Sequence, residues 1–252
     1  MKRNSGMTAC NSYRPLTPLC LLSVIVLALW STAIAQMGQG GGDMMQKVQA
    51  LKQAAAQNKQ QLHQYQWIET RQVTLKGEQK PESVSQCSYG PNGQVQKTPL
   101  SAPPQPPQGG RLKQRIIEKK TEEMKDYMQD VQGLLALYVP PNPDLIQQAI
   151  QNHNVTVEKQ LGAGTANIVF KNYAKPGDQM TVAFNPSTRK ISTISVNTYT
   201  GQEKDANKDA VTLAIQMASL PDGTNYAQQS VLNVAAKQMQ VTTTNSNYSK
   251  IQ

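Results

Sequence analysis

The sequence predicts an α+β fold in which a curved antiparallel β half-barrel of about ten strands is covered by three helices. Three observations lead to this prediction. After His153 the chain reads as short strands at intervals of about ten residues, separated by Gly, Pro, Asn and Asp turns. Several strands alternate apolar and polar residues, so that one face is covered and the other is wet. Three further segments carry apolar residues at helical spacing and can supply the cover.

The first 35 residues predict a secretory signal peptide. Basic residues precede an apolar run of 12 residues from Leu19 to Trp30, and Ala33 and Ala35 supply the small residues of a cleavage site. The alternative is a transmembrane anchor, but this run is well short of the roughly 20 apolar residues that a span needs. We therefore expect the chain to act in the periplasm or outside the cell.

The net charge limits the classes of binding partner to expect, and the cysteine content limits the possible disulfides. Loss of the signal peptide removes Lys2, Arg3 and Arg14 and lowers the formal net charge from +9 to +6. A weakly basic exported chain can contact anionic headgroups or cell-wall polymers, and we expect no nucleic-acid partner there. Cys87 is then the one cysteine left, which excludes an intramolecular disulfide. Burial and pairing with another molecule both remain open for this thiol.

The N-terminal part, residues 43–98, predicts a helix followed by the first strands. A glycine-rich tether at residues 36–42 precedes it. Asp43 can cap a helix that runs to about Leu62, because apolar residues recur there on one helical stripe. Three strands follow, at Tyr65–Leu75, Glu82–Tyr89 and Gln94–Thr98, with turns between them at 76–78 and 90–93.

Residues 99–110 are rich in proline and predict a stiff, extended spacer; binding to a proline-reading module is the alternative. The spacer leads into a helical insertion or plug, residues 111–152. Its first helix, residues 111–138, has an apolar stripe and a charged face. Arg111, Lys113 and Arg115 lie in its first turns, where cations oppose the helix dipole. This helix either rests on the sheet with a solvated outer face or presents these cations to an anionic partner, a membrane headgroup or an acidic protein.

A second helix of the insertion is predicted from Asn142-Pro143-Asp144 to about Asn152, with a cap, a first-turn proline and a first-turn acid. Residues 153–252 then form an antiparallel meander that completes the same single domain. Its strands are predicted at Val155–Gln160, Thr165–Tyr173, Gln179–Asn185, Lys190–Thr200, Ala210–Ser219, Tyr226–Val234 and Gln238–Tyr248.

No set of residues with catalytic spacing is found. The sequence has no HExxH, CxxC, GxSxG or P-loop, and Gly162-Ala163-Gly164 lies between strands as a hairpin turn. His63 and His153 stand alone, and the acidic loop at 203–209 lacks the alternation of oxygen ligands that a calcium loop needs. We therefore expect no enzyme, no metal and no cofactor; a hydrolase built from widely spaced residues is the remaining alternative.

The C-terminal half resembles the outer-membrane lipoprotein carrier (LolA/LolB-like) superfamily. The resemblance rests on FNPSTRKISTISVNTY, with P-x-T in its turn, on VTLAIQMASLPDGTNYAQQSVLN, with D-G-x-x-Y, and on the last strand MQVTTTNSNYSKI. It covers residues 43–98 and 153–250 and implies a half-barrel whose concave side is plugged by helices and takes acyl chains. The chain departs from the pattern at Ala227, where members often have proline, and in the insertion at 99–152.

The resemblance leads us to expect a non-enzymatic protein that binds an apolar ligand, an acyl chain or a lipid, between sheet and helices. Methionine suits a cavity that repacks around flexible chains. The expected lining is Met180, Val182, Phe184, Val211, Leu213, Ile215 and Met217 from the sheet and Ile116, Met124 and Met128 from the long helix.

The same residues also suit a plain core. In that case the chain is a structural or protein-interaction module of the cell envelope, with residues 99–138 as a docking arm. The expected partners are a lipid or an acylated protein, with transient contact to a membrane surface or an envelope protein.

Overall fold

The computed structural model describes residues 57–101, 111–160, 165–185 and 190–251. The predicted signal peptide with Ala33 and Ala35, the tether, the first helix up to residue 56 and the spacer at 102–110 lie outside these residues. So do the hairpin turns at 161–164 and 186–189, which include the P-x-T turn.

The fold is α+β, as predicted, and the described residues form eleven antiparallel strands in one open sheet together with three helices. The helices are α1 (residues 57–62), α2 (Arg111–Leu135) and α3 (Pro143–Gln151). The strands are β1 (Tyr65–Leu75), β2 (Glu78–Gln79), β3 (Ser83–Tyr89), β4 (Val95–Pro99), β5 (Val155–Gln160), β6 (Thr165–Lys171), β7 (Gln179–Asn185), β8 (Lys190–Tyr199), β9 (Ala210–Ser219), β10 (Asn225–Val234) and β11 (Met239–Lys250).

The sheet is a meander with one pairing between strands that are far apart in sequence. Its order is β4-β3-β1-β11-β10-β9-β8-β7-β6-β5, and β2 pairs with β1. Every neighbouring pair is antiparallel. Neighbours are consecutive in sequence except β1 and β3, which the short β2 separates, and β1 and β11, where Val73 lies opposite Val241. The chain therefore brings its N-terminal strands onto its last strand, and the half-barrel stays open with β4 and β5 as its edges.

The predicted strands are all present, with ends that differ by about two residues or less. The exception to the predicted count is β2, a two-residue strand that folds back on the end of β1. Lys76 and Gly77, with φ of 52° and 80°, make the tight turn between them. So short a strand carries no alternation that a sequence pattern could detect.

The long helix ends three residues earlier than predicted. Beyond Leu135 the chain tightens into i→i+3 turns, with the Tyr138 amide donating to the Leu135 carbonyl at 3.0 Å. The helix α3 starts as predicted: the Asn142 side chain accepts the Asp144 amide at 2.9 Å, and Pro143 occupies the first turn. The early end of α2 frees Tyr138 to turn inward.

A buried carboxylate holds this turn against the sheet. Asp178 is 2% exposed and accepts the backbone amides of Tyr173, Ala174 and Lys175 at 2.5, 3.0 and 2.9 Å. It also accepts the Tyr138 hydroxyl, which lies 2.8 Å from the Thr198 hydroxyl. These bonds satisfy a charge that would otherwise be costly to bury, and they fasten the end of α2 to the β6–β7 turn.

The helices α2 and α3 lie on one face of the sheet, which we call the inner face; the opposite face is the outer face. Apolar side chains from both layers form a continuous cluster, which we call the helix-covered core. Its fully buried members include Val131, Tyr138, Ile168, Phe170, Met180, Val182, Ile194, Val196, Val211, Leu213, Ile215 and Leu232. Cys87 lies outside this cluster and is also fully buried.

Candidate functional site

Most of the residues predicted to line a ligand site lie in the helix-covered core. Met180, Val182, Val211, Leu213 and Ile215 are at most 1% exposed. Met128 is buried as well, while Met124 and Met217 are half-buried and pack against the same cluster. The side chain of Phe184 lies outside the described residues. These side chains pack against α2 and α3, which is the arrangement of a core rather than that of an open cleft.

The prediction that Ile116 lines the ligand site is wrong. The sequence places it on the stripe that faces the sheet, but its side chain is 57% exposed. The buried side chains of α2 are Met128, Val131 and Leu135, whereas residues 114–123 are exposed except for Ile117, which is half-buried. The stripe continues along the whole helix, whereas the sheet beneath it does not, so the first half of α2 extends beyond the core.

The cations predicted to meet an anionic partner lie in this exposed half. Arg115 is exposed, and the side chains of Arg111 and Lys113 lie outside the described residues. Farther along the same half, Lys119 lies 3.9 Å from Glu123, both largely in solvent. Such an exposed pair contributes little to stability.

A second cluster on the inner face is aromatic, and the sequence analysis did not identify it. The rings of Trp67 and Tyr248 are stacked, with centroids 5.5 Å apart and an interplanar angle of 11°. The ring centroid of Tyr89 lies 5.4 Å from that of Trp67. The ring centroids of Tyr226 and Tyr248 are 4.4 Å apart. Four rings from β1, β3, β10 and β11 therefore meet where the N-terminal strands join the last strand.

These rings line a small cavity that we call the aromatic pocket. Its lining is Leu62, Trp67, Tyr89, Tyr226, Ala227, Asn245 and Tyr248. The free volume is about 10 Å³, room for a single water molecule. The Trp67 indole donates to Asn245 Oδ1 at 3.1 Å, and the Asn245 amide donates to the Ala227 carbonyl at 2.9 Å. The polar side chains of Trp67 and Asn245 are thus bonded within the wall of the pocket.

The helix α1 covers the aromatic pocket and is held by side-chain bonds to the β9–β10 turn. Asn58 donates to the Asn225 carbonyl at 3.1 Å and accepts the Asn225 amide at 2.9 Å. Gln61 accepts the Thr224 hydroxyl at 3.4 Å. Leu62, 3% exposed, extends from α1 into the pocket. In the described part of α1, Leu62 and these three hydrogen bonds hold the cover in place.

The D-G-x-x-Y segment builds the turn on which α1 rests. Gly223 has a φ of 89°, which favours glycine. Asp222 accepts the Thr224 amide at 3.0 Å and the Tyr65 hydroxyl at 2.6 Å. The Tyr65 hydrogen bond, together with those from Thr224, holds the pKa of Asp222 down at about 2. The motif therefore joins β1, α1 and the β9–β10 hairpin.

Charged groups lie on the inner face beside the aromatic pocket. Glu69, 4% exposed, accepts Lys97 Nζ at 2.5 Å and Arg71 Nη2 at 2.7 Å. Lys97 lies opposite Cys87 in the β3–β4 pair, and Cys87 lies opposite Trp67 in the β1–β3 pair. Because Lys97 points inward from the edge strand β4, it also discourages another chain from pairing with that edge.

Burial changes the acidity of the rings in the pocket. The pKa of Tyr89 is raised to about 12 because burial disfavours its phenolate. The pKa of Tyr248 is raised further, first by burial and then by the neighbouring acidic groups. Both hydroxyls therefore stay neutral at any physiological pH, and the pocket presents rings without charge.

One signal in the sequence could have pointed to this pocket. Tyr65 and Trp67 share a phase with Val73 and Leu75, which pack against the core, so both rings had to face inward. The meeting of Tyr89 with Tyr248 depends on the pairing of β1 with β11. No local pattern predicts that pairing.

Among the described residues, no group of three or more His, Cys, Asp or Glu side chains could hold a metal ion. No helix in the described ranges is long and apolar enough to cross a membrane. No protein-family model, no curated protein and no solved structure matches this chain. The likeness to the LolA/LolB-like superfamily therefore rests on the sequence motifs alone.

Proposed function

We propose that this chain is an exported, non-enzymatic protein of the LolA/LolB-like type that binds an apolar ligand, a lipid or acyl chain, under α1. The observation that supports this best is the aromatic pocket. It lies on the inner face between sheet and helix, and burial keeps the rings of Tyr89 and Tyr248 neutral. The ligand site thus lies at the α1 end of the half-barrel and not among Val211, Leu213 and Ile215.

The two covers of the inner face differ in how firmly they are held. The helix α2 buries Met128, Val131 and Leu135 in the core, and its end is tied to the bonded carboxylate of Asp178. In contrast, the described residues of α1 are held by Leu62 and by the side-chain hydrogen bonds of Asn58 and Gln61. A ligand that must displace part of the protein will displace the cover that costs less free energy to move.

Magnitudes favour uptake under α1. Releasing the two Asn58 bonds costs about 1–3 kcal/mol, and exposing Leu62 costs about 1.5–3 kcal/mol. An acyl chain that buries about eight methylene groups gains about 6 kcal/mol. Against these contacts of Asn58 and Leu62 the gain matches or exceeds the cost, so an acyl chain can take the place of Leu62 although the closed pocket has room for one water.

Native mass spectrometry with lipid extraction tests this function on the chain purified after export to a bacterial periplasm. We expect a lipid or fatty acid bound in stoichiometric amount, lost on extraction and regained on incubation with fatty acids. An apo mass that stays unchanged with fatty acids and lipopeptides would remove the proposal. The same spectrum reports whether the chain begins at Gln36, as cleavage after Ala35 requires.

A second candidate function is favoured by the first half of α2. Residues 114–123 extend beyond the core with Ile116 exposed and Arg115 in solvent. This half suits a docking arm for an anionic membrane surface or an acidic envelope protein. Deleting residues 99–138 would remove Met128, Val131 and Leu135 from the core, so a point variant is the better test.

Co-sedimentation with vesicles separates the two functions. If α2 is a docking arm, Arg115→Glu reduces binding to phosphatidylglycerol vesicles, while Lys204→Glu, the same charge change in an exposed turn, leaves it unchanged. Equal binding by both variants and the unchanged chain would exclude this arm as the contact.

A further inference from the structure

A solvent-open groove lies at the β10–β11 end of the sheet, away from α1. Its volume is about 290 Å³, against about 10 Å³ for the aromatic pocket. Side chains from β1, β9, β10 and β11 line it, together with the turn between the last two strands. This volume approaches the range of small-molecule sites, and neither proposed function uses it.

The polar part of the groove is made of amides and hydroxyls. Gln240 Nε2 donates to Asn233 Oδ1 at 2.8 Å, and Asn233 Nδ2 donates to the Thr212 hydroxyl at 3.2 Å. Thr74 lies opposite Gln240, so the row of polar residues continues onto β1. An amide carries two hydrogens and two oxygen lone pairs, so Asn233 and Gln240 each keep donors and acceptors for a ligand.

The remaining lining consists of Gln238 and the apolar residues Ala210, Val234, Ala235 and Met239, and no ionisable residue takes part. A charged ligand would have no counter-charge in such a groove. A ligand with many neutral donors and acceptors and with C–H surface would match both parts of the lining.

The same polar row continues across the outer face beyond the groove. Thr212 lies opposite Asn197, and Asn197 lies opposite Gln179, so the row crosses β9, β8 and β7. Neighbouring strands are about 4.8 Å apart. A row of uncharged donors and acceptors at a constant interval suits a ligand that repeats along its length.

We propose that the groove and this outer row bind a neutral oligosaccharide. Its hydroxyls are donors and acceptors like those of Asn233, Gln240 and Thr212, and its C–H surface lies on the apolar lining. A peptide fits less well, because sheets that bind peptides use free backbone groups at an edge. On this face the backbone groups are paired within the ladders.

Titration of the exported full chain with maltotriose, cellotriose and N-acetylchitotriose, followed by heteronuclear NMR, tests the proposal. We expect at least one trisaccharide to shift the amide signals of Asn233 and Gln240. Asn233→Ala and Gln240→Ala should each weaken that binding about fivefold, as the loss of one hydrogen bond does.

Matched controls lie on the same face two rows away from the groove, where Gln216 and Gln229 are opposite each other. Gln216→Ala and Gln229→Ala should leave the affinity unchanged. The proposal is overturned if none of the three sugars binds up to its solubility, or if the control variants weaken binding as much as the groove variants do.

Discussion

The helix-covered core and the aromatic pocket share one face of one sheet but have different chemistry. In the core, aliphatic side chains such as Leu213 and Ile215 are fully buried under two helices. In the pocket, stacked rings lie beside the buried ion pair of Glu69 and Lys97, and α1 covers them. The core is built to stay closed. The pocket combines aromatic rings with a cover whose described residues are held by Leu62 and side-chain hydrogen bonds, and for this reason we propose it as the ligand site.

The largest expected effect is in the core. Leu213→Glu places a charge without a partner where the side chain is 1% exposed, a cost of several kcal/mol that unfolds a domain of this size. Circular dichroism of the purified variant should show loss of the native sheet signal.

Ala214→Glu is the matched control, because Ala214 is the next residue of β9 and is exposed on the outer face. It should fold like the unchanged chain. A folded Leu213→Glu protein would mean that the core accommodates an open cavity, and the distinction between the two regions would disappear.

The next effect concerns the ion pair beside the pocket. Glu69→Gln removes the charge that both Lys97 and Arg71 contact. Removing one partner of a buried pair costs about 3–5 kcal/mol, and we expect about 3 kcal/mol because glutamine keeps one acceptor. Urea denaturation measures it as a lower midpoint with an unchanged slope.

Glu78→Gln is the control for this prediction, since Glu78 forms an exposed pair with Lys80. It should change stability by less than about 1 kcal/mol. If the two variants cost the same, the Glu69 cluster is a surface feature and not part of the pocket wall.

A smaller effect separates the two groups of tyrosines. Tyr138→Phe removes the hydroxyl bonded to Asp178 and leaves that buried carboxylate short of a donor, at a cost of about 1–3 kcal/mol. Tyr248→Phe should change stability by less than about 0.5 kcal/mol, because its hydroxyl makes no hydrogen bond among the described residues. Equal losses in thermal unfolding would contradict the assignment of Tyr138 as an anchor and of Tyr248 as a ring in an apolar wall.

The smallest effect is a pH dependence at the turn that supports α1. The folded-state pKa of Asp222 is about 2, below its unfolded value of about 3.9, chiefly because Tyr65 donates to it. Its contribution to stability is complete above about pH 4 and is lost as the pH falls through about 2. Urea midpoints between pH 5 and pH 2 should fall less steeply for Asp222→Asn and for Tyr65→Phe than for the unchanged chain. Identical slopes would mean that the turn does not depend on this bond.

The strands were predictable because apolar and polar residues alternate within single segments such as Val211 to Met217. Turn sequences such as Pro221-Asp222-Gly223 also mark where strands end. The cap of α3 at Asn142 was local in the same way. How far α2 extends over the sheet could not be predicted. Periodicity places Ile116 on the apolar face of the helix, but it does not show whether another element packs against that face. The aromatic pocket depends on rings from four strands and on the pairing of β1 with β11, which only the folded chain brings together.

Trp67 offers the most direct test of the ligand site. The chain has two tryptophans, and Trp30 lies in the predicted signal peptide, so emission of the exported chain would report on the pocket wall. Titration with oleate should change this emission. Asn58→Ala should bind oleate more tightly although the variant is less stable, because it removes bonds that hold α1 closed and so raises the binding-competent fraction. Unchanged emission, or weaker binding by Asn58→Ala, would contradict a ligand site under α1.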